Sequence, residues 1–343
     1  MNSCTRLFFH EAAQAIPPMD LLVVDPLDAD VMEWLGARHR LAYAPELAYE
    51  TREFRRALYN VRSAIVPASV TVDAETLEFA PLLRAIGRVS AGAENIDFAA
   101  CEKRGIEVVR SRTASARAEA EFTIGAMLSL LRRVPVRSAD GSFTGRELGG
   151  ATIGLVGMPP AARSIAQLLS GFGARVIGYD PALHASDTVW PLWQVEPAGL
   201  RELVERSDVL CVQLPFFSRY QGLLGERFLA RCKPNQVLVS TAHSGLFDER
   251  ALASALRSGR IAAAWLDSLE PGALDPDRPL HGIDTLQVTP CIAATTRESR
   301  QRSAWAVARR IDELLEFVPR SASDFIATVP GALADLEAAT WSP

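Results

Sequence analysis

From Asp20 onward, short apolar runs that close on a small or acidic residue alternate with segments of helical spacing. That alternation is the sequence form of a parallel sheet covered by helices on both faces. Strands as apolar as LLVVD, ATIGLVG, VLCVQLP and QVLVS are expected where both sheet faces are covered. The 343 residues exceed one ordinary core and point to two domains. The fold class read from this pattern is α/β, with two doubly wound units built on parallel sheets.

Residues 1–18 read as an N-terminal extension, since MNSCTRLFFHEAAQAIPPMD lacks a basic start followed by a long apolar core. The run Ala118 to Arg133, with Phe122, Ala126 and Leu130 at helical spacing, reads as a helix bridging into the second unit. The polar, turn-rich VPVRSADGSFTGRELGG after it reads as a joint. A second long helix is expected from Arg297 to Phe317, returning to the first unit.

The net charge of −5, with interspersed signs, gives no basic footprint for nucleic acid and no polybasic membrane patch. No apolar run approaches the roughly 18 residues of a membrane span. Five scattered cysteines, Cys4, Cys101, Cys211, Cys232 and Cys291, suggest neither a disulfide framework nor a metal site, and fit a reducing cytoplasm. Small molecules are the expected ligands.

The segment from Ala151 to Asp180 runs strand, tight turn, helix, strand and terminal acid, which is the layout of a βαβ nucleotide site. A helix start offers free N–H groups and a positive dipole end to a pyrophosphate. Asp180 is placed to accept from adenosine ribose hydroxyls, and its charge opposes a 2′-phosphate, favouring NAD over NADP. The turn itself reads Gly157-Met158-Pro159-Pro160-Ala161-Ala162, so only the first glycine of G-x-G-x-x-G remains. Proline suits a first helical position. Each N–H lost from an anion cradle nevertheless costs about 1.5–3 kcal/mol, so weakened NAD binding is expected.

Eight blocks in order, among them IGRVSAGAENIDFAACEKRGIEVV, GRELGGATIGLVG, SDVLCVQLP, LARCKPNQVLVSTAHSGLFDERAL, GRIAAAWLDSLEP and LQVTPCIAATT, resemble the D-isomer-specific 2-hydroxyacid dehydrogenases. The resemblance implies a substrate domain at 19–115 and 292–325, an inserted NAD(P)-binding domain at 116–291, a C-terminal tail at 326–343, and a homodimer. It also implies cofactor contacts at Gly157, Pro160, Ala161, Asp180, Leu214, Pro215, Ala242 and Asp267. Backbone contacts to a small carboxylate ligand are implied at Ser90, Ala91 and Gly92.

The family's catalytic positions are all replaced. His243 stands where an arginine clamps the substrate carboxylate, Gly272 where a glutamate orients the general acid/base, and Cys291 where that histidine belongs. Glu270 lies two residues short of the glutamate position. Phe217 and Tyr220 replace small hydroxyl residues beside the cofactor. Three readings stand open: a binding or sensing protein that has lost hydride transfer; a dehydrogenase with His243 as acid/base and Arg110, Arg112 or Arg117 as carboxylate clamp; and nucleophilic chemistry by a Cys291–His243 pair. His184 and His281 are expected to be solvated, and Trp190 and Trp193 to pack a loop.

Overall fold

The computed structural model describes residues 19–89, 92, 95–111, 113–133, 136–137 and 141–316. The extension at 1–18, the tail at 326–343, and the roles expected of Ser90, Ala91 and Arg112 lie outside the described residues. The chain divides into two compact units. Of the described residues, one unit holds 19–88, 92, 95–109 and 307–316; the other holds Val89 and those of Arg110–Ala306.

The first unit contains β1 (Met19–Val23), β2 (Leu41–Tyr43), β3 (Val61–Ile65), β4 (Ala85–Arg88) and β5 (Glu107–Arg110), in the spatial order β2-β1-β3-β4-β5. β1 pairs in parallel with β2 and β3, and β3 with β4. Its core gathers Leu22, Val24, Phe54, Leu58, Ala64, Leu77, Ile86 and Ile106. Short helices flank the sheet and begin on acidic caps: Asp73 accepts from Thr76 N–H at 2.8 Å, and Asp97 from Ala100 N–H at 3.0 Å. Each cap satisfies a donor that the first helical turn leaves without a partner.

The second unit opens with the helix Ala116–Arg133 and a small antiparallel hairpin, β6 (Val136–Arg137) with β7 (Phe143–Thr144). A seven-stranded sheet follows: β8 (Thr152–Val156), β9 (Arg175–Tyr179), β10 (Glu196–Pro197), β11 (Val209–Val212), β12 (Gln236–Ser240), β13 (Ile261–Leu266) and β14 (Leu286–Val288). Its order is β10-β9-β8-β11-β12-β13-β14, with every pair parallel. Strand alternation sends Val209 and Cys211 of β11 into one helical layer, with Met127, Leu130, Ile165 and Leu169. Leu210 and Val212 enter the other, with Leu203, Leu252 and Leu256. Coverage on both faces explains why these strands read as unbroken apolar runs.

The strand order reverses between β8 and β11. In open α/β sheets the crevice at such a reversal, outside the carboxyl ends of the strands, is where ligands bind.

Candidate functional site

At the end of β8, Gly157 adopts φ +90°. A Cβ there would lie 2.4 Å from Leu214 Cα and 2.6 Å from Leu214 N, so the residue is glycine because the backbone following β11 passes against it. Pro159 then takes the helix cap position in extended backbone, and Pro160 the first helical position of Pro160–Gly171. No side chain caps this helix. With two prolines in place, the turn presents the N–H groups of Ala161 and Ala162 as its helix-start donors; Arg163 N–H already donates to Pro159 O at 3.2 Å.

Met158 is held from two directions. Its N–H donates to Asp180 Oδ2 at 2.8 Å, and its carbonyl accepts from Arg163 Nε at 3.1 Å. Asp180 Oδ1 accepts from Ala182 N–H at 2.9 Å. Arg163 lies over the Trp193 ring, 4.4 Å from its centroid. Trp193 is therefore a stacking platform, in addition to the loop packing expected of it, and it meets the buried Trp190 edge-on. Neither Arg163 nor this use of Trp193 was legible from the nucleotide-site pattern.

These residues fit a dinucleotide. The turn lies at the strand reversal, its helix start is uncapped, and a half-buried carboxylate ends β9 with lone pairs to spare after two backbone bonds. The cradle offers fewer backbone donors than a glycine-rich turn would. Leu214 and Pro215 follow β11, and Ala242 follows β12 at the same edge of the sheet. Its floor is tied together by Thr241 Oγ1 donating to Gln213 Oε1 at 2.8 Å and Ser240 Oγ to Val212 O at 3.3 Å.

His243 lies past the end of β12. Its Nδ1 accepts from Gly245 N–H at 3.0 Å, capping the turn Ser244–Leu246. Its ring stacks on Phe216 with centroids 4.5 Å apart and planes 21° apart. Accepting at Nδ1 leaves the neutral ring's proton on Nε2. No carboxylate pairs with this histidine among the described residues. Phe217 is 52% exposed and meets Tyr220 edge-on, with the Arg219 guanidinium over both rings.

Asp267, 3% exposed at the end of β13, organises the segment carrying Cys291. Oδ1 accepts from Thr289 Oγ1 at 2.6 Å and Ile292 N–H at 3.0 Å, and Oδ2 from Ala293 N–H at 2.8 Å. Cys291 N–H donates to Asp267 O at 2.6 Å, and Cys291 is exposed in left-handed backbone at φ +56°. Thr289 Oγ1 also accepts from Trp265 Nε1 at 3.2 Å.

Gly272 has φ +78°, and a Cβ on it would meet Asp275 Oδ2 at 3.0 Å. A glutamate at that place in the chain would thus be strained. Exposed Glu270 lines a cavity of about 490 Å³ with Gln221, Ser244, Gly245, Phe247 and Arg278. Neither His243 nor Cys291 lines this cavity. The two residues follow β12 and β14, with β13 between, and no hydrogen bond or ring contact joins them among the described residues. The other cysteines among the described residues are packing residues: burial pushes the thiols of Cys211 and Cys232 up to about 12, and that of Cys101 to about 11. His184 and His281 are on the surface as expected.

Residues 124–293 match the family model described as D-isomer specific 2-hydroxyacid dehydrogenase, NAD binding domain. The (S)-sulfolactate dehydrogenase of Chromohalobacter salexigens is 36% identical over 254 residues, covering 71% of this chain and 82% of that protein. The chain belongs to the D-isomer-specific 2-hydroxyacid dehydrogenase family. Within that family it is also similar to the D-3-phosphoglycerate dehydrogenase of Mycobacterium tuberculosis, 34% identical over 289 residues, or 81% of this chain and 53% of that protein. The chain spans about half the length of the phosphoglycerate dehydrogenases it matches. The apo structure of D-mandelate dehydrogenase from Rhodotorula graminis shares the fold, with a TM-score of 0.73, 23% identity, and coverage of 87% of this chain and 94% of that one. Among the described residues, no helix is long and apolar enough to cross a membrane and no group of side chains is placed to hold a metal ion.

Proposed function

We propose that this family member binds a nicotinamide dinucleotide, weakly, beside a small carboxylate ligand, and works by binding or sensing after losing hydride transfer. The observation that carries this reading is the condition of His243. Its Nδ1 is used as a turn cap and its ring lies against Phe216, so the residue at the carboxylate-clamp position holds a loop. The orienting position is a left-handed glycine, and the acid/base position is a cysteine whose neighbouring carboxylate, Asp267, is engaged with Thr289, Ile292 and Ala293. A bound nicotinamide ring would supply a hydride; among the described residues, neither His243 nor Cys291 has a carboxylate partner that would make it a paired proton donor. Asp180 and the helix-start N–H groups of Ala161 and Ala162 are the proposed contacts for ribose and pyrophosphate, and Gly92 belongs to the proposed carboxylate contact. The proposed assembly is a homodimer, on the family resemblance.

Two measurements test this. Calorimetric titration with NADH is expected to give a micromolar Kd. A spectrophotometric scan of 2-keto acids is expected to show no NADH oxidation above a heat-treated control. Oxidation above that control overturns the loss of hydride transfer and favours His243 as a reassigned acid/base; absence of binding overturns the dinucleotide reading.

A further inference from the structure

Asp180 alone would set this site against a 2′-phosphorylated cofactor, since a carboxylate repels a phosphate dianion. The structure places a cation beside it. Arg163 stands in the first turn of the helix Pro160–Gly171, where side chains lean back toward the helix start. That direction brings its Nε to Met158 O, while Asp180 holds the N–H of the same residue. Trp193, from the segment after β9, supports the guanidinium face. The guanidinium is thus fixed in plane by a ring and fixed in position by a backbone carbonyl.

We propose that Arg163, mounted on Trp193, reads the 2′ position of the adenosine ribose and lets this chain accept NADP(H) as well as NAD(H). This rests on the dinucleotide reading above and deepens it. The fork geometry matches a phosphate, because a guanidinium with Nε engaged still offers paired N–H groups for bidentate recognition. Its two terminal nitrogens have no protein acceptor among the described residues. Burial weakens the hold of Arg163 on its proton, and the charge of Asp180 opposes that effect, which marks the two groups as electrostatic neighbours. With NAD(H), the Asp180 carboxylate serves the ribose hydroxyls. With NADP(H), Arg163 balances the phosphate charge that Asp180 opposes.

The experiment is calorimetric titration of the full chain with NADH and with NADPH. The wild type is expected to bind the two within tenfold of each other. Arg163→Gln is expected to weaken NADPH at least tenfold more than NADH, and Trp193→Leu to weaken NADPH selectively in the same direction. Thermal melting checks that each variant is folded, and the Trp193 variant carries the test if the first does not fold. Wild-type preference for NADH by more than tenfold overturns the proposal, as does an equal effect of the substitutions on both cofactors. Binding of NADH alone overturns only this proposal. Binding of neither overturns the dinucleotide reading with it.

Discussion

Leu214 backbone occupies the space that a side chain on Gly157 would need, with Leu214 Cα 2.4 Å from the position of a Cβ. The end of β8 and the chain leaving β11 are pressed together at the strand reversal, and the positive φ of Gly157 adds a second demand for glycine. Gly157→Ala is therefore expected to cost roughly 2–4 kcal/mol, combining left-handed strain with overpacking against backbone. Urea unfolding would measure it, and a loss under about 1 kcal/mol would contradict this account of the turn.

Removing the Asp267 carboxylate should leave the N–H groups of Ile292 and Ala293 without acceptors at the end of β13. Asp267→Ala is expected to destabilise the protein by about 2–4 kcal/mol, the scale of one buried and two part-buried donors losing a charged acceptor. Because Thr289 bridges Asp267 and Trp265, the variant should also change tryptophan emission. A stable variant with unchanged emission would show that this carboxylate does not anchor the segment.

Acid should loosen the cap of the helix Ala74–Glu78. The N–H of Thr76, then its hydroxyl, hold the Asp73 carboxyl below the ordinary carboxylate value, with Arg55 adding a smaller effect in the same direction. A depressed folded value means the contribution is fully present above the unfolded pKa of about 4 and is lost as pH falls through the lower folded value. Wild type should therefore lose stability between about pH 5 and pH 2 more steeply than Asp73→Asn, which keeps an accepting oxygen without the titration. Parallel pH profiles of the two would remove Asp73 from the acid response.

Thiol labelling of the native protein should separate the cysteines by burial. Cys291 is exposed, whereas Cys101, Cys211 and Cys232 are buried with thiols held protonated at neutral pH. Iodoacetamide followed by peptide mapping is expected to modify Cys291 in the folded state and those three only in denaturant. Native labelling of Cys211 would show that the second sheet opens far more readily than its packing implies. An unlabelled Cys291 would dispose of a nucleophilic role for it.

The sheets and the family were legible because burial on both faces of a parallel sheet leaves long apolar runs, and because the blocks come in a fixed order. The nucleotide turn was legible as strand, glycine, helix and terminal acid. What the sequence hid are relationships across loops. Arg163 and Asp180 meet at Met158 only after the chain has passed through a helix and a strand, so no local pattern marks them. His243 as a turn cap was equally hidden, since histidine is not an ordinary capping residue. Trp193 reads in sequence as loop filling, and only its position beside the helix start shows what its face supports. Cys291 and His243 follow strands that flank β13, an order that only the folded sheet displays.

The hold of Asp267 on residues 289–293 makes positions 291 and 272 unequal in how readily each would accept a new side chain. Position 291 sits on an anchored segment, so an engineer restoring an acid/base there exchanges one side chain on a standing frame. Position 272 offers no such frame, because its left-handed backbone and the nearby Asp275 carboxylate resist a larger residue. Seating a glutamate at position 272 calls for remaking the loop that follows β13, and a library confined to single substitutions should stall there.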